Sequence, residues 1–187
     1  MSAANLSART LLAPRFDLAD AQRASDEWGA NCGPAALALV MGMTLEQVRP
    51  YIVGFDKKRY VNPSLMFDSL ALIGARFQCG AAQQGSENRG MLAWPAFGVA
   101  RVQWEGPWTA PGVPIRVRYR HTHWVASMTI EGEEQNIFDV NAMCVGGWIP
   151  LSEWAGSLVP WLLKQCEPRA NGRWHLTHSI EVEMPKS

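Results

Sequence analysis

Cys32 stands in the run Gly29-Ala30-Asn31-Cys32-Gly33-Pro34, where turn-forming residues give way to a helix start. Pro34 suits a first helical turn, where its missing N–H removes no helical hydrogen bond. The free N–H groups and the dipole at such a start stabilise an anion. A thiol placed there has a lowered pKa, and the thiolate is the nucleophilic form. The same N–H groups can hold the oxyanion formed when a carbonyl is attacked. Gly33 lets a substrate approach the sulfur closely. A thiol nucleophile also needs an imidazole to take its proton. Of the four histidines, His123 opens the most apolar strand-like run, His123-Trp124-Val125-Ala126-Ser127-Met128. Asp139 and Asn141 end the next strand-like run, and either could orient the imidazole. Register decides between them: with a longer hairpin loop Asn141 faces His123 directly and Asp139 lies diagonally on the same face, whereas with a two-residue turn both face away.

The remaining candidates for chemistry are weaker. Cys79, Cys144 and Cys166 have no helix-start context and read as small hydrophobes. His121 and His123 form an H-x-H pair of the kind found in zinc sites, but nothing else in the spacing supports one, so neither metal nor cofactor is expected. His175 and His178 read as ordinary strand or surface residues. Arg116, Arg118 and Arg120 have strand spacing; a solvated strand face is the plain reading, and a phosphate or substrate role is the alternative.

The elements that must position these groups follow from the pattern. Residues 1–24 read as a loosely structured leader with a short helix near 17–23, and residues 25–187 as one domain. The small apolar run Ala35-Ala36-Leu37-Ala38-Leu39-Val40-Met41 predicts a buried helix ending at Gly42. Helices are predicted over 44–51, with Thr44 as N-cap, and over 63–73, ending at Gly74. A short strand fits 75–79, and 83–89 reads as a polar loop. Strands are predicted over 98–104, 115–120, 123–130, 135–140 and 173–182, with a further helix over 152–165. Helices first and an antiparallel sheet afterwards is an α+β layout.

Composition sets the limits. The 187 residues suit one domain, and 48% hydrophobic against 18% charged residues is a globular balance. Seventeen basic residues offset seventeen acidic ones, so no nucleic-acid partner is expected. No run approaches the roughly 20 apolar residues needed to span a membrane, and no signal peptide is apparent, so the cytoplasm is the expected compartment and the cysteines the expected free thiols. Of the nine tryptophans, Trp94, Trp104, Trp108, Trp148, Trp154, Trp161 and Trp174 read as core, while Trp28 and Trp124, beside the catalytic candidates, read as cleft residues together with Gly33.

Taken in order, Asn31-Cys32-Gly33-Pro34-Ala35-Ala36-Leu37-Ala38, His123-Trp124-Val125 and Phe138-Asp139-Val140-Asn141 resemble the motifs of the papain-like cysteine peptidases, closest to the bacteriocin-processing (double-glycine leader) branch. The resemblance spans roughly residues 28–148. It implies a papain-like fold, with N-terminal helices packed on a C-terminal antiparallel sheet. It also implies a Cys32-His123-Asp139 triad and a cysteine hydrolase acting on a peptide or protein substrate. There is one departure. The family has an oxyanion-donating glutamine about six residues before the cysteine, and Asp26 stands there. Gln22 and Asn31 are the nearby substitutes. Two other functions fit the same residues: a transglutaminase-like acyltransferase, and a papain-like binding or inhibitor module without catalysis.

Overall fold

The first helix runs straight through the expected end of the leader. The computed structural model describes residues 13–80, 92–118 and 120–184. Within them, α1 spans Leu18–Trp28, and Phe16, Ala21, Ala24 and Trp28 belong to the main hydrophobic core. Residues 13–24 are therefore part of the domain and not a loose leader. The reason is local. Asp17 and Asp20 form a capping box, each side chain accepting from the other's backbone N–H, which fixes the helix start. The apolar residues at 21, 24 and 28 then fall on one face.

Four more helices precede the sheet: α2 (Cys32–Met41), α3 (Leu45–Val48), α4 (Phe55–Lys58) and α5 (Pro63–Ile73). Gly33 to Val40 are all buried in α2, as a helix apolar on every side requires. Gly42, at φ +60°, ends it in the left-handed conformation that glycine adopts without strain. Thr44 caps α3 with Gln47 as its reciprocal partner. These boundaries follow the predicted ones closely.

Six strands, β1 (Phe77–Cys79), β2 (Phe97–Trp104), β3 (Thr122–Met128), β4 (Asn136–Phe138), β5 (Trp148–Pro150) and β6 (Trp174–Val182), form one sheet of order β1-β6-β2-β3-β4-β5. Every neighbouring pair is antiparallel. The N-terminal helices cover one face, where Val99, Trp124, Ala126, Phe138 and Ile180 meet α2 and its neighbours. The opposite face is covered too. There Ala100, Val102, Val125 and Ile137 pack against the C-terminal helical segment: α7 (Leu151–Glu153), a π-helical turn (Trp154–Leu158) and α8 (Val159–Cys166). The architecture is mixed α/β with three layers, one more than the expected helices-on-sheet pair.

Two further expectations are corrected. Residues 115–118 form a helical turn, α6 (Ile115–Arg118), and not a strand. Pro114 supplies the preset φ of a helix start, and its carbonyl accepts from Val117 N. Trp161 is 54% exposed and is not core. The loop predicted over 83–89 lies outside the described residues. Among the described residues, no helix is long and apolar enough to cross a membrane.

Gly98 lets β2 and β6 approach closely: a Cβ there would land on the Ile180 carbonyl oxygen and the Glu181 backbone. Backbone cannot step aside as a side-chain tip can. Gly98→Ala is expected to lower stability by about 1–3 kcal/mol, read as a drop in the urea midpoint; an unchanged midpoint would refute this close packing.

Candidate active site

The hairpin register settles what the sequence left open. β3 and β4 pair as Ala126↔Phe138, Ser127↔Ile137 and Met128↔Asn136. This is the longer-loop arrangement, but pairing stops at Phe138. Beyond it the chain turns into a 3₁₀ helix (Val140–Val145) whose N-cap is Asp139. Asn141 is therefore drawn off the strand, and Asp139 meets the imidazole. His123 Nε2 lies 2.9 Å from Asp139 Oδ2.

Asp139 is fully buried, and all of its capacity is used. Oδ2 also accepts from Trp154 Nε1 at 2.9 Å. Oδ1 accepts from the Asn141 backbone N at 2.9 Å and from Asn141 Nδ2 at 2.8 Å. Asn141 thus holds the carboxylate and not the imidazole. Trp154 does the same from the π-helical turn, and no sequence signal singled it out. Trp104 stacks on His123 with ring centroids 5.8 Å apart, and Trp154 stacks on Trp104 at 6.2 Å. The His123–Asp139 bond is thereby enclosed by indoles.

Cys32 completes the chain of contacts. Its thiol is close enough to the His123 ring and the Trp124 backbone N–H for both to act on its charge. With Nε2 on Asp139, Nδ1 is the ring nitrogen left for the sulfur. β4 stops pairing with β3 at Ala126, so the edge of β3 ahead of that point is open to the start of α2. The charges follow from these contacts. Burial would push Cys32 up, but the hydrogen bond and charge of His123, with the Trp124 N–H, bring the thiol below its ordinary 9.0. Burial would push His123 down, yet the charge and hydrogen bond of Asp139, and then Cys32, lift it well above 6.5. Burial would raise Asp139, and the His123 charge with its donors holds it below 3.8. Each of the three shifts favours the charged form of its group: thiolate on Cys32, imidazolium on His123 and carboxylate on Asp139.

The loop before α2 is tied down. Asn31 Nδ2 donates to the Ala21 carbonyl at 2.9 Å and makes no side-chain cap on α2. The N–H groups in the first turn of α2 are thus left uncapped by the residue best suited to cap them. Gly33 is buried under Val61 and Trp124: a Cβ would sit 2.6 Å from Val61 Cγ2 and 3.5 Å from Trp124 Cδ1. Trp124 is anchored by its own Nε1 donating to the Val61 carbonyl at 2.7 Å.

A cleft of about 960 Å³ opens beside Cys32, and Gly33 and Trp124 line it, as expected. Trp28 does not. It is buried against Phe55 with Arg49 over its ring, so it is a core residue. Gln22 lies on the solvent face of α1, bonded to Asp26, and is not among the cleft residues. His121, the other half of the H-x-H pair, lies 2.6 Å from Glu167 and stacks on Trp108. Among the described residues no group of three or more His, Cys, Asp or Glu is placed to hold a metal.

Two outcomes are expected from the carboxylate's surroundings. Trp154→Phe removes one donor from a buried charge and is expected to cost about 1–3 kcal/mol in urea unfolding. Asp139 has a folded-state pKa below its unfolded value of 3.8, so its stabilisation is complete above that pH and is lost as pH falls through the folded value. The stability gap between the wild type and Asp139→Asn should therefore narrow below about pH 3.8; a gap that is constant with pH would show that the carboxylate's charge is not what is stabilised. Comparison with known proteins gives no guide to this site: no family model, no curated protein and no solved structure matches the chain.

Proposed function

We propose that this chain is a papain-like cysteine hydrolase, a peptidase or amidase acting through a thioester on Cys32. The observation that carries the reading is the placement of His123 between a buried carboxylate at 2.9 Å and a thiol at the start of α2. Three elements distant in sequence converge to make it.

The steps follow from the geometry. The Cys32 thiolate adds to the substrate carbonyl carbon. The oxyanion that forms is met by the N–H groups of Cys32 and Gly33 in the first turn of α2, which have no helical acceptor. The His123 imidazolium gives its proton to the leaving amine, the C–N bond breaks, and an acyl thioester remains. Neutral His123 then takes a proton from water, which attacks the thioester and releases the acid and the thiol. Asp139 keeps the ring oriented and stabilises its charged form throughout. Trp154, Asn141 and Trp104 act through these groups as positioning residues. Asn31 and Gln22 are engaged with Ala21 and Asp26, so oxyanion stabilisation rests on the backbone.

Alkylation of each cysteine by iodoacetamide across pH, read by mass spectrometry, tests the pair. Cys32 is expected to react fast at about pH 6, and His123→Ala to slow it there by about tenfold or more. If Cys32 is no faster than the exposed Cys79 and Cys144, or if His123→Ala changes nothing, the hydrolase reading fails. Once a substrate is in hand, Cys32→Ala should lower turnover by about a thousandfold or more.

A further inference from the structure

The floor of the cleft is built from three neighbouring strands. Arg101 of β2 pairs with Trp124 of β3 on one side and with His178 of β6 on the other. Paired residues share a face. Two residues further along the same face, the corresponding row is Val99, Ala126 and Ile180, wholly buried beneath the helices. The sheet continues past the point where α2 begins, and there the row changes to Arg101, Trp124 and His178. Arg101, 5% exposed, thus stands one step along this face from a wholly aliphatic row. Arg101 Nη2 donates to Thr122 Oγ1 at 2.9 Å, and Thr122 also lines the cleft.

Two more guanidinium groups reach the same space. Arg116, on α6, and Arg120, just after it, are exposed and line the cleft. Among the described residues, no Asp or Glu lines it. The chain as a whole carries seventeen charges of each sign, so this is local segregation and not a general basic excess. His178 is held below its ordinary 6.5 by burial and then by the Arg101 charge, so it adds a neutral ring. The walls are apolar, with Phe55, Tyr60, Val61 and Pro63. A cleft of this size, with apolar walls and a few fixed cations, suits a peptide bearing carboxylates. The planar guanidinium fork matches a carboxylate in two-pronged pairing.

We infer that the cleft is an acidic-peptide site: Asp or Glu side chains of the substrate pair with Arg101, Arg116 and Arg120 and lay the chain against Cys32. The inference deepens the hydrolase reading and rests on it for the word substrate, but peptide binding can be measured apart from catalysis.

The measurement is calorimetric titration of full-length Cys32→Ala protein, which cannot turn over, with two octapeptides, one alternating Glu and Ala and the other alternating Gln and Ala. The Glu peptide is expected to bind about tenfold tighter or more, and about 0.5 M salt should erode most of that gap. In the same background, Arg116→Gln with Arg120→Gln should reduce the gap to about threefold or less; these side chains are exposed, so the fold is not at risk. Arg101→Gln should do the same, and if that variant fails to fold the rim pair decides the matter. Equal affinity for the two peptides, or a Glu preference that the rim variants leave intact, overturns the acidic-peptide site. A Glu preference in a protein whose wild-type Cys32 is inert to iodoacetamide upholds the site and overturns the hydrolase.

Discussion

Complete burial of the Asp139 carboxylate is sustained by four hydrogen bonds that converge on its two oxygens, and the rest of the site depends on that arrangement. An ionised carboxyl group removed from water costs several kcal/mol unless its lone pairs are taken. His123, Trp154 and the backbone and side chain of Asn141 take them. Each donor comes from a different stretch: the start of β3, the π-helical turn and the first turn of the 3₁₀ helix. The carboxylate therefore fixes these stretches relative to one another, and its charge sets that of the imidazole. The lowered pKa of the Cys32 thiol is the far end of the same chain of electrostatic consequences.

The sheet separates two kinds of work along alternate residues. On β3, His123 has the parity of Val125, and Trp124 that of Ala126. The first pair belongs with the indole-rich layer under the C-terminal helices, the second with the layer under α2. The carboxylate's supports come from the C-terminal side of the chain and the Cys32 thiol from the N-terminal side. They meet only at the open edge of β3, because β4 is too short to close it.

Much of this was legible beforehand, where local rules govern. Gly29, Gly33, Pro34 and the alanines after it marked the start of α2, and with it Cys32, because turn residues and an all-apolar helix leave few alternatives. The caps at Thr44 and Gly74 were read for the same reason. The choice between Asp139 and Asn141 was not legible, since it turned on where β4 stops, a tertiary outcome. Trp154 was invisible as a ligand of Asp139: a tryptophan fifteen residues away has no periodic signature. Trp28 was misplaced because nearness to Cys32 in sequence is not nearness in space; Gly29 ends α1 and turns the chain between them. Arg116 and Arg118 suggested a strand by their alternation, while Pro114, the better signal, pointed to a helical start. Arg101 carried no mark at all, since only cross-strand register reveals that it stands between Trp124 and His178, one step from a wholly aliphatic row.

That interleaving of parities bears on how such a protein changes over generations. Residues 123 and 124 are neighbours in the gene, yet one meets the buried Asp139 carboxylate and the other lies in the cleft floor. A substitution at Arg101, Thr122 or His178 alters the lining of the cleft while leaving the indoles and the carboxylate untouched. The cleft surface can thus drift, or be selected, along one set of positions while the Cys32–His123–Asp139 cluster stays constant on the other. Descendants of this fold could diverge widely at the cleft without first having to rebuild the buried carboxylate and its supports.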